Sequence, residues 1–458
     1  MTGDVTVRGH RAPGAGPVGD HGRVSTPTRT PVRHRARWDL VAVAAATALV
    51  VAAHLVGESL KAAGQDIFLG VPPLLASWLP HVGPGTPVAV VVALAVVARG
   101  PELAARLAWR PLLLLAHGAA ATWTVSLALV DGWTRGVVER LSSDQEYLWD
   151  VPRATDVPTM LRTFTDFILP APDMWVTHVG AHPPGAFLFY VVLDRIGLGG
   201  GGPAGVVTML IGASACVAVA VTLRALDAEA VARAALPFGV LLPGAVWVGV
   251  SADGMFAAIL AWGVALLAIG AAGRRALPAF AGGVLLGCSL YLSYGLVLGG
   301  LVPLAVLGLT RSWRAGAWAA AGVAAVVAAF TVSGFWWFDG FERVQVIYAL
   351  SVASTRPYSY FVWANLAALA LAVGPAVVAG LRRVPDLPAR AAWLVAAAGA
   401  AVLLADLSGL SKAEVERIWL PFAIWLVVAC AGLPHPRRWL AAQAGLALAV
   451  NHLLLTVW

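Results

Sequence analysis

The sequence predicts an all-α fold: a polytopic bundle of about 12–14 transmembrane helices with a large extracytoplasmic first loop of amphipathic helices. Three observations predict it. Mean hydropathy is +0.80. Only 12% of the 458 residues are charged, about half the share that a soluble domain carries. Apolar stretches able to form spanning helices, once flanking positions are included, recur from Leu40 to the C-terminus. This pattern excludes a water-soluble globule, a collagen-like chain and a disulfide scaffold. Cys216, Cys288 and Cys430 lie inside apolar runs with no metal-ligand spacing around them, and read as packing residues.

Taken in order, residues 1–37 are rich in Gly, Pro, Thr and Arg without apolar periodicity, as expected of a disordered basic cytoplasmic tail. The first apolar stretch begins too late, and lacks the small-residue site, for a cleavable signal. Residues 38–110 contribute two N-terminal spans, and 111–458 form the main module. The expected spans are 39–57, 86–99, 111–130, 184–199, 203–223, 236–250, 255–272, 278–293, 294–309, 317–335, 361–381, 391–405, 418–432 and 439–457. Arginines at 99–110, 274–275, 311–314, 382–390 and 437–438 mark the cytoplasmic side. The N-terminus is then cytoplasmic in a multi-pass protein of the plasma membrane. The connections 131–183, 336–360 and 406–417 face outward. Three expected spans separate the outward loop 131–183 from Asp253, where an even number is required, so one of 184–199, 203–223 or 236–250 must be a half-crossing or a bent pair. Gly197 to Gly202 is the expected bend.

Eight of the 24 acidic residues crowd the connection 131–183: Asp131, Glu139, Asp144, Glu146, Asp150, Asp156, Asp166 and Asp173. A loop of that length is rarely a passive connector. Asp131 follows directly on an apolar helix, which would hold its carboxylate at the membrane boundary; a solvated helix end is the plain alternative. His182-Pro183-Pro184-Gly185 opens the next helix, since prolines are tolerated in a first turn; the histidine is then either functional or simply interfacial. Asp253 interrupts an apolar region, as acids lining polar cavities do, although a short loop would also expose it to water. In Leu407 to Phe422, Lys412, Glu414, Glu416 and Arg417 precede a helix on the side where positive charge is not expected, which suits a lipid phosphate as well as headgroup snorkelling. The aromatic segment 335–360 carries Tyr348, Tyr358 and Tyr360 beside Arg343 and Arg356, which suits sugar stacking or a phosphate grip, or an interfacial belt. No nucleotide-binding loop or hydrolase signature is present, so an energised substrate must arrive already activated.

The order of these features resembles the GT-C superfamily of integral-membrane glycosyltransferases: protein O-mannosyltransferases, aminoarabinose transferases and actinobacterial mannosyl- and arabinosyltransferases. The resemblance rests on Asp131 at a helix end, the loop 132–181, His182-Pro183-Pro184-Gly185, Asp253-Gly254-Met255-Phe256, and Lys412 to Pro421. It implies sugar transfer, with inversion, from a polyprenyl-phosphate donor to an envelope glycan, lipid or protein acceptor outside the membrane. It further implies Asp131 as general base and Lys412 and Arg417, with Arg356, as contacts to the donor phosphate. His182 would anchor the loop or touch the donor, and Asp253 would support the site from behind. Relatives often carry an acidic pair at the first position. Here Gly132 follows Asp131, so a second acid would come from Glu139, Asp144 or Glu146. No cofactor is required, although some relatives use a divalent metal, and nucleic acid is not an expected partner. The competing classes are a transporter or flippase of lipid-linked sugars, and a non-catalytic protein of envelope assembly.

Overall fold

The computed structural model describes residues 1–4, 6 and 32–457, so the expected tail lies mostly outside the described residues, and its last part, from Val32, is helix. Among the described residues eight helices are long and apolar enough to cross a membrane, and three shorter apolar helices accompany them. The all-α, polytopic reading is thereby met. The helices of the bundle are α1 Val32–Ala62, α2 Thr86–Arg106, α3 Trp109–Ala128, α4 Gly201–Ala225, α5 Glu229–Val240, α6 Ala252–Gly273, α7 Ala276–Leu292, α8 Tyr294–Thr310, α9 Trp313–Val332, α10 Tyr358–Leu381, α11 Ala389–Leu407, α12 Leu420–Gly432 and α13 Pro436–Leu453, of which α5 and α13 fall outside both apolar groups.

Burial sorts them into layers. The most apolar window of α6 is 72% buried and that of α4 is 67% buried, against 11% for α1 and 17% for α2. The outer helices turn Leu40, Val41, Leu55, Val91 and Leu94 outward, a surface suited to hydrocarbon. Close approach in the interior comes from small residues. A Cβ at Gly283 of α7 would lie 2.0 Å from the Ala319 carbonyl oxygen of α9, and one at Gly322 of α9 would lie 2.3 Å from that of Phe280, so each helix docks backbone to backbone at the other's glycine.

The ends of the bundle differ in charge. One end gathers Arg106, Arg224, Arg233, Arg274, Arg311, Arg383 and Arg438. There Arg233 donates to the carbonyls of Ala104 and Leu107, and Arg224 stacks on Trp109. The other end carries the connections 63–85, 129–200, 333–357 and 408–419. A short antiparallel ribbon, β1 Ala76–Trp78 with β2 Leu454–Thr456, ties the first of these to the C-terminus.

The structure bears on the expected bend between the first loop and Asp253. Residues 184–199 do not cross. Pro184–Leu193 is a ten-residue helix continued by a wide turn Asp194–Leu198, and Arg195 at its end donates to the carbonyls of Ala154 and Thr155 in the same polar end. Gly197 and Gly200, with φ of 81° and 77°, reverse the chain, as only glycine does without strain. Gly201 then restarts against the Val138 carbonyl. Two passes through the bundle, α4 and α5 with the turn Ala245–Val248, therefore separate the first loop from Asp253.

Polar backbone inside the bundle is satisfied internally. α10 breaks at Gly374 (φ 80°, ψ 171°) before Pro375. The amide of the fully buried Gln443 from α13 donates to the Val373 carbonyl (2.8 Å) and accepts from the Ala376 N–H (3.0 Å). At the arginine-rich end, Asp39 of α1 is 1% exposed and bonds the guanidinium of Arg383 and, at 3.1 Å, that of Arg382. Removing one partner of a buried pair strands the other's charge, so Asp39→Ala is expected to cost about 3–5 kcal/mol. Thermal unfolding in detergent should show it, with Asp39→Ala/Arg383→Met recovering part of the loss; an unchanged single variant would remove the pair from any stabilising role.

Candidate functional site

The polar end holds two acid and cation sets. The first surrounds Asp131, which closes the 3₁₀ turn Leu129–Asp131 at the end of α3. His81 Nε2 lies 2.8 Å from its Oδ1, Arg135 Nη2 donates to Oδ1 at 3.1 Å, and Arg140 Nη2 donates to Oδ2 at 3.0 Å. Arg140 also donates to the Thr456 carbonyl of β2 (2.7 Å), and the His81 N–H donates to the His452 carbonyl. The end of α13 and the β2 strand that follows it thus fix two of the three groups that grip Asp131. Burial lowers the pKa of Arg140, opposed by the Asp131 charge. The chain can fold back over the helix end because residue 136 is glycine. A Cβ there would sit 2.0 Å from the Ala128 carbonyl oxygen and 3.0 Å from Asp131 Cβ.

The second set centres on Arg417, in the one-turn helix Val415–Ile418. Its Nη1 donates to Asp253 Oδ2 (2.6 Å) at the start of α6, and its Nη2 donates to Glu414 Oε2 (2.7 Å) and lies 3.2 Å from His178 Nε2. His178 Nδ1 faces Glu146 Oε1 at 3.1 Å and the Gln145 carbonyl at 3.0 Å. Burial opposes the Arg417 charge, but Asp253, Glu414 and Glu146 outweigh it and raise the pKa. Burial likewise works against the Glu414 carboxylate, yet Arg417 and Arg356 together hold its pKa below the usual value. Arg356 and Lys412 extend this set. Each donates to the other's backbone carbonyl, at 2.7 and 3.0 Å, and Arg356 Nη1 is 3.7 Å from Glu414 Oε1. Tyr348 and Tyr358 donate to the carbonyls of Gly409 and Leu407, so the aromatic segment packs on the 406–417 connection.

The two sets are neighbours. A Cβ at Gly205 of α4 would lie 3.0 Å from Val250 Cγ1, three residues before Asp253, and 3.3 Å from Val137 Cγ1, beside the Asp131 turn.

The sequence-derived candidates divide between these sets. Asp253, Glu146, Arg417, Arg356 and Lys412 come together, and Asp131 stands in the other set. The second acid expected beside Asp131 is not found there. Glu139 and Asp144 are exposed, and Glu146 pairs with His178 in the Arg417 set; the partners of Asp131 are cations and an imidazole. His182 anchors the loop. Its Nδ1 lies 2.8 Å from the His178 carbonyl and 3.1 Å from the Tyr147 hydroxyl, and burial, reinforced by His178, lowers its pKa to about 4, so it is neutral at ordinary pH. His81, Arg140 and His178 were missed. His178 sat four residues from a histidine already singled out, whereas His81 lies 50 positions from Asp131 in a connection that carried no signal.

Among the described residues no three His, Cys, Asp or Glu side chains are placed to hold a metal ion. Neither a protein-family model nor a curated protein sequence matches the chain.

Glu416 adds a titratable group to this end. It is 1% exposed, and no side chain donates to its carboxyl oxygens; the nearest donors are the backbone N–H groups of Glu416 itself and Leu75. Burial, with the Glu414 charge adding to it, raises its pKa from 4.5 to about 7. A carboxyl with a raised folded pKa stabilises the fold fully below its unfolded pKa, and that contribution is lost as pH rises toward the folded value. Glu416→Gln should therefore gain stability over wild type progressively from pH 4.5 to 7, levelling at roughly 3 kcal/mol. Melting temperatures of both proteins across pH 5–8 check this; a gap that does not change with pH would show that Glu416 is not held neutral. The depressed His182 pKa acts in the opposite sense below pH 6.5, but equally in both proteins.

Proposed function

We propose that the chain is a glycosyltransferase that moves a sugar from a polyprenyl-phosphate donor to an envelope glycan, lipid or protein acceptor at the outer face of the cytoplasmic membrane. The observation that carries this reading is the convergence, at one end of the bundle, of Asp131 and the Arg417 set from connections far apart in sequence. Arginines crowd the opposite end, which supports a cytoplasmic N-terminus and an outward polar end.

In this reading Asp131 Oδ accepts the proton of the acceptor hydroxyl as its oxygen attacks the anomeric carbon. The bond to the donor phosphate breaks on the opposite face, and polyprenyl phosphate leaves with the electron pair. Arg135, Arg140 and His81 hold the carboxylate in a fixed orientation, as a positioned base requires. Lys412 and Arg356 meet the charge that develops on the leaving phosphate. Arg417, held by Asp253 and Glu414, fixes the loop that presents them and can turn to the phosphate only by giving up a carboxylate. His182 pins the first loop through Tyr147.

Transfer from radiolabelled polyprenyl-phosphate sugars, tested as a donor panel in membranes containing the protein, checks the reading. Asp131→Asn is expected to lower turnover by about 100-fold to 10,000-fold with donor binding retained, and Lys412→Ala/Arg356→Ala should weaken donor binding. Full activity in Asp131→Asn would remove the base assignment, and no transfer from any donor would remove the reading itself.

A further inference from the structure

At the end of the bundle opposite Asp131, α2, α3 and α5 enclose a groove of about 300 Å³ lined by Val96, Leu103, Leu112, Leu115, Leu236 and Pro237, among others, with Arg99 as its charged member. It exists because small residues, Ala95, Gly100, Ala104, Ala116 and Ala119, face it, and because α5 is only 12 residues long and contains Pro237. Leu103 and Leu115 are 37% and 47% exposed, so the groove opens sideways, toward the hydrocarbon that covers the outer helices. Its volume takes a length of one hydrocarbon chain, and its apolar lining, with Arg99 alone charged, suits a chain and not a headgroup.

The charge beside it is unbalanced. Arg99, Arg106 and Arg437 surround a single carboxylate, Glu102, at 3.8, 2.8 and 3.9 Å, and these arginines are 73%, 77% and 59% exposed. Three cations on one acid leave an excess of positive charge at the mouth of an apolar groove, the complement of a phosphodiester carrying an acyl chain. We propose that this groove binds an anionic phospholipid, with one acyl chain between α2, α3 and α5 and the phosphate on Arg99, Arg106 and Arg437. The site is separate from the proposed transfer chemistry and stands whether or not that reading holds. Since α2 and α3 carry the loop and turn that position His81 and Asp131, a bound lipid would also brace the pair of helices behind the polar end.

The test uses the full-length protein in a neutral detergent, with dioleoyl phosphatidylglycerol and dioleoyl phosphatidylcholine as probes, read by native mass spectrometry and by melting temperature. Wild type should retain phosphatidylglycerol at several-fold higher occupancy than phosphatidylcholine and gain several degrees from it alone. Arg99→Gln/Arg106→Gln/Arg437→Gln should lose that preference while folding normally, because all three side chains are exposed. Ala116→Trp, which fills the groove and leaves the arginines, should lower occupancy of both lipids. Equal retention of the two lipids by wild type, or a phosphatidylglycerol preference that survives in the triple variant, would overturn the proposal. A preference lost in the triple variant but unaffected by Ala116→Trp would overturn the acyl-chain seat.

Discussion

The polar end of this protein depends on the guanidinium of Arg417 finding carboxylates in a place with almost no water. A buried arginine without counter-charges is among the costliest groups a fold can contain, so the chain must deliver Asp253 and Glu414 to it. Asp253 comes from the first turn of the central helix α6 and is fixed once that helix packs. Glu414 comes from a segment bent against its preference: Ala413 and Glu414 have φ of 73° and 60°, which side chains with a Cβ rarely adopt. The bend is held by Asn365 of α10, which accepts from the Ala413 N–H and donates to the Ser411 carbonyl and to Asp406 of α11. Strain in the connection is therefore offset by hydrogen bonds to two helices and by the ion pair it completes. His178 and Glu146 close the remaining side, so the first loop is seated by the same charge.

A related constraint governs the hydrocarbon depth, where an unpaired backbone group has no water to turn to. The chain answers with a few polar side chains at defined breaks. Gln443 bridges the interruption of α10 at Gly374, and Asn451 of the same helix α13 donates to the Leu127 carbonyl near the end of α3. α13 is thus a polar seam as well as a packing element, and its continuation into β2 lets Thr456 receive Arg140. A substitution in α13 is coupled through that route to the orientation of Asp131.

Much of this was legible in the sequence because charge is scarce. With few ionisable residues, arginine placement marked one end, and the loops 131–183, 336–360 and 406–417 could be assigned to the other, where the structure brings them together. The crossing parity was visible as a contradiction, and the glycines 197–202 as its expected place, but periodicity could not tell the short, highly apolar helix Pro184–Leu193 from a span. Pair identities were not legible at all. Arg417 finds Asp253 across 164 positions and His178 across 239, and Asp131 takes His81 from a connection whose composition is unremarkable. Such pairings are set by how helices pack, which one chain's pattern of apolar residues specifies only in outline.

The pairing of Arg356 with Lys412 carries the physical argument for an anion at this end. Each donates to the other's main-chain carbonyl, so two positive side chains are held close by neutral acceptors, with one carboxylate, Glu414, shared with Arg417. Burial and the neighbouring Arg356 charge both lower the pKa of Lys412, the signature of a cation that lacks compensation. Asp253 and Glu414 already answer Arg417, but among the described residues no carboxylate is paired with the Lys412 ammonium. A phosphate arriving beside Lys412 would relieve the repulsion between the two cations as well as form new hydrogen bonds, and that relief is available to an anion and not to a neutral ligand. Under the proposed reading, the preference for an anion would come from the placement of two like charges side by side, and it would leave in place the ion pairs that hold the loop.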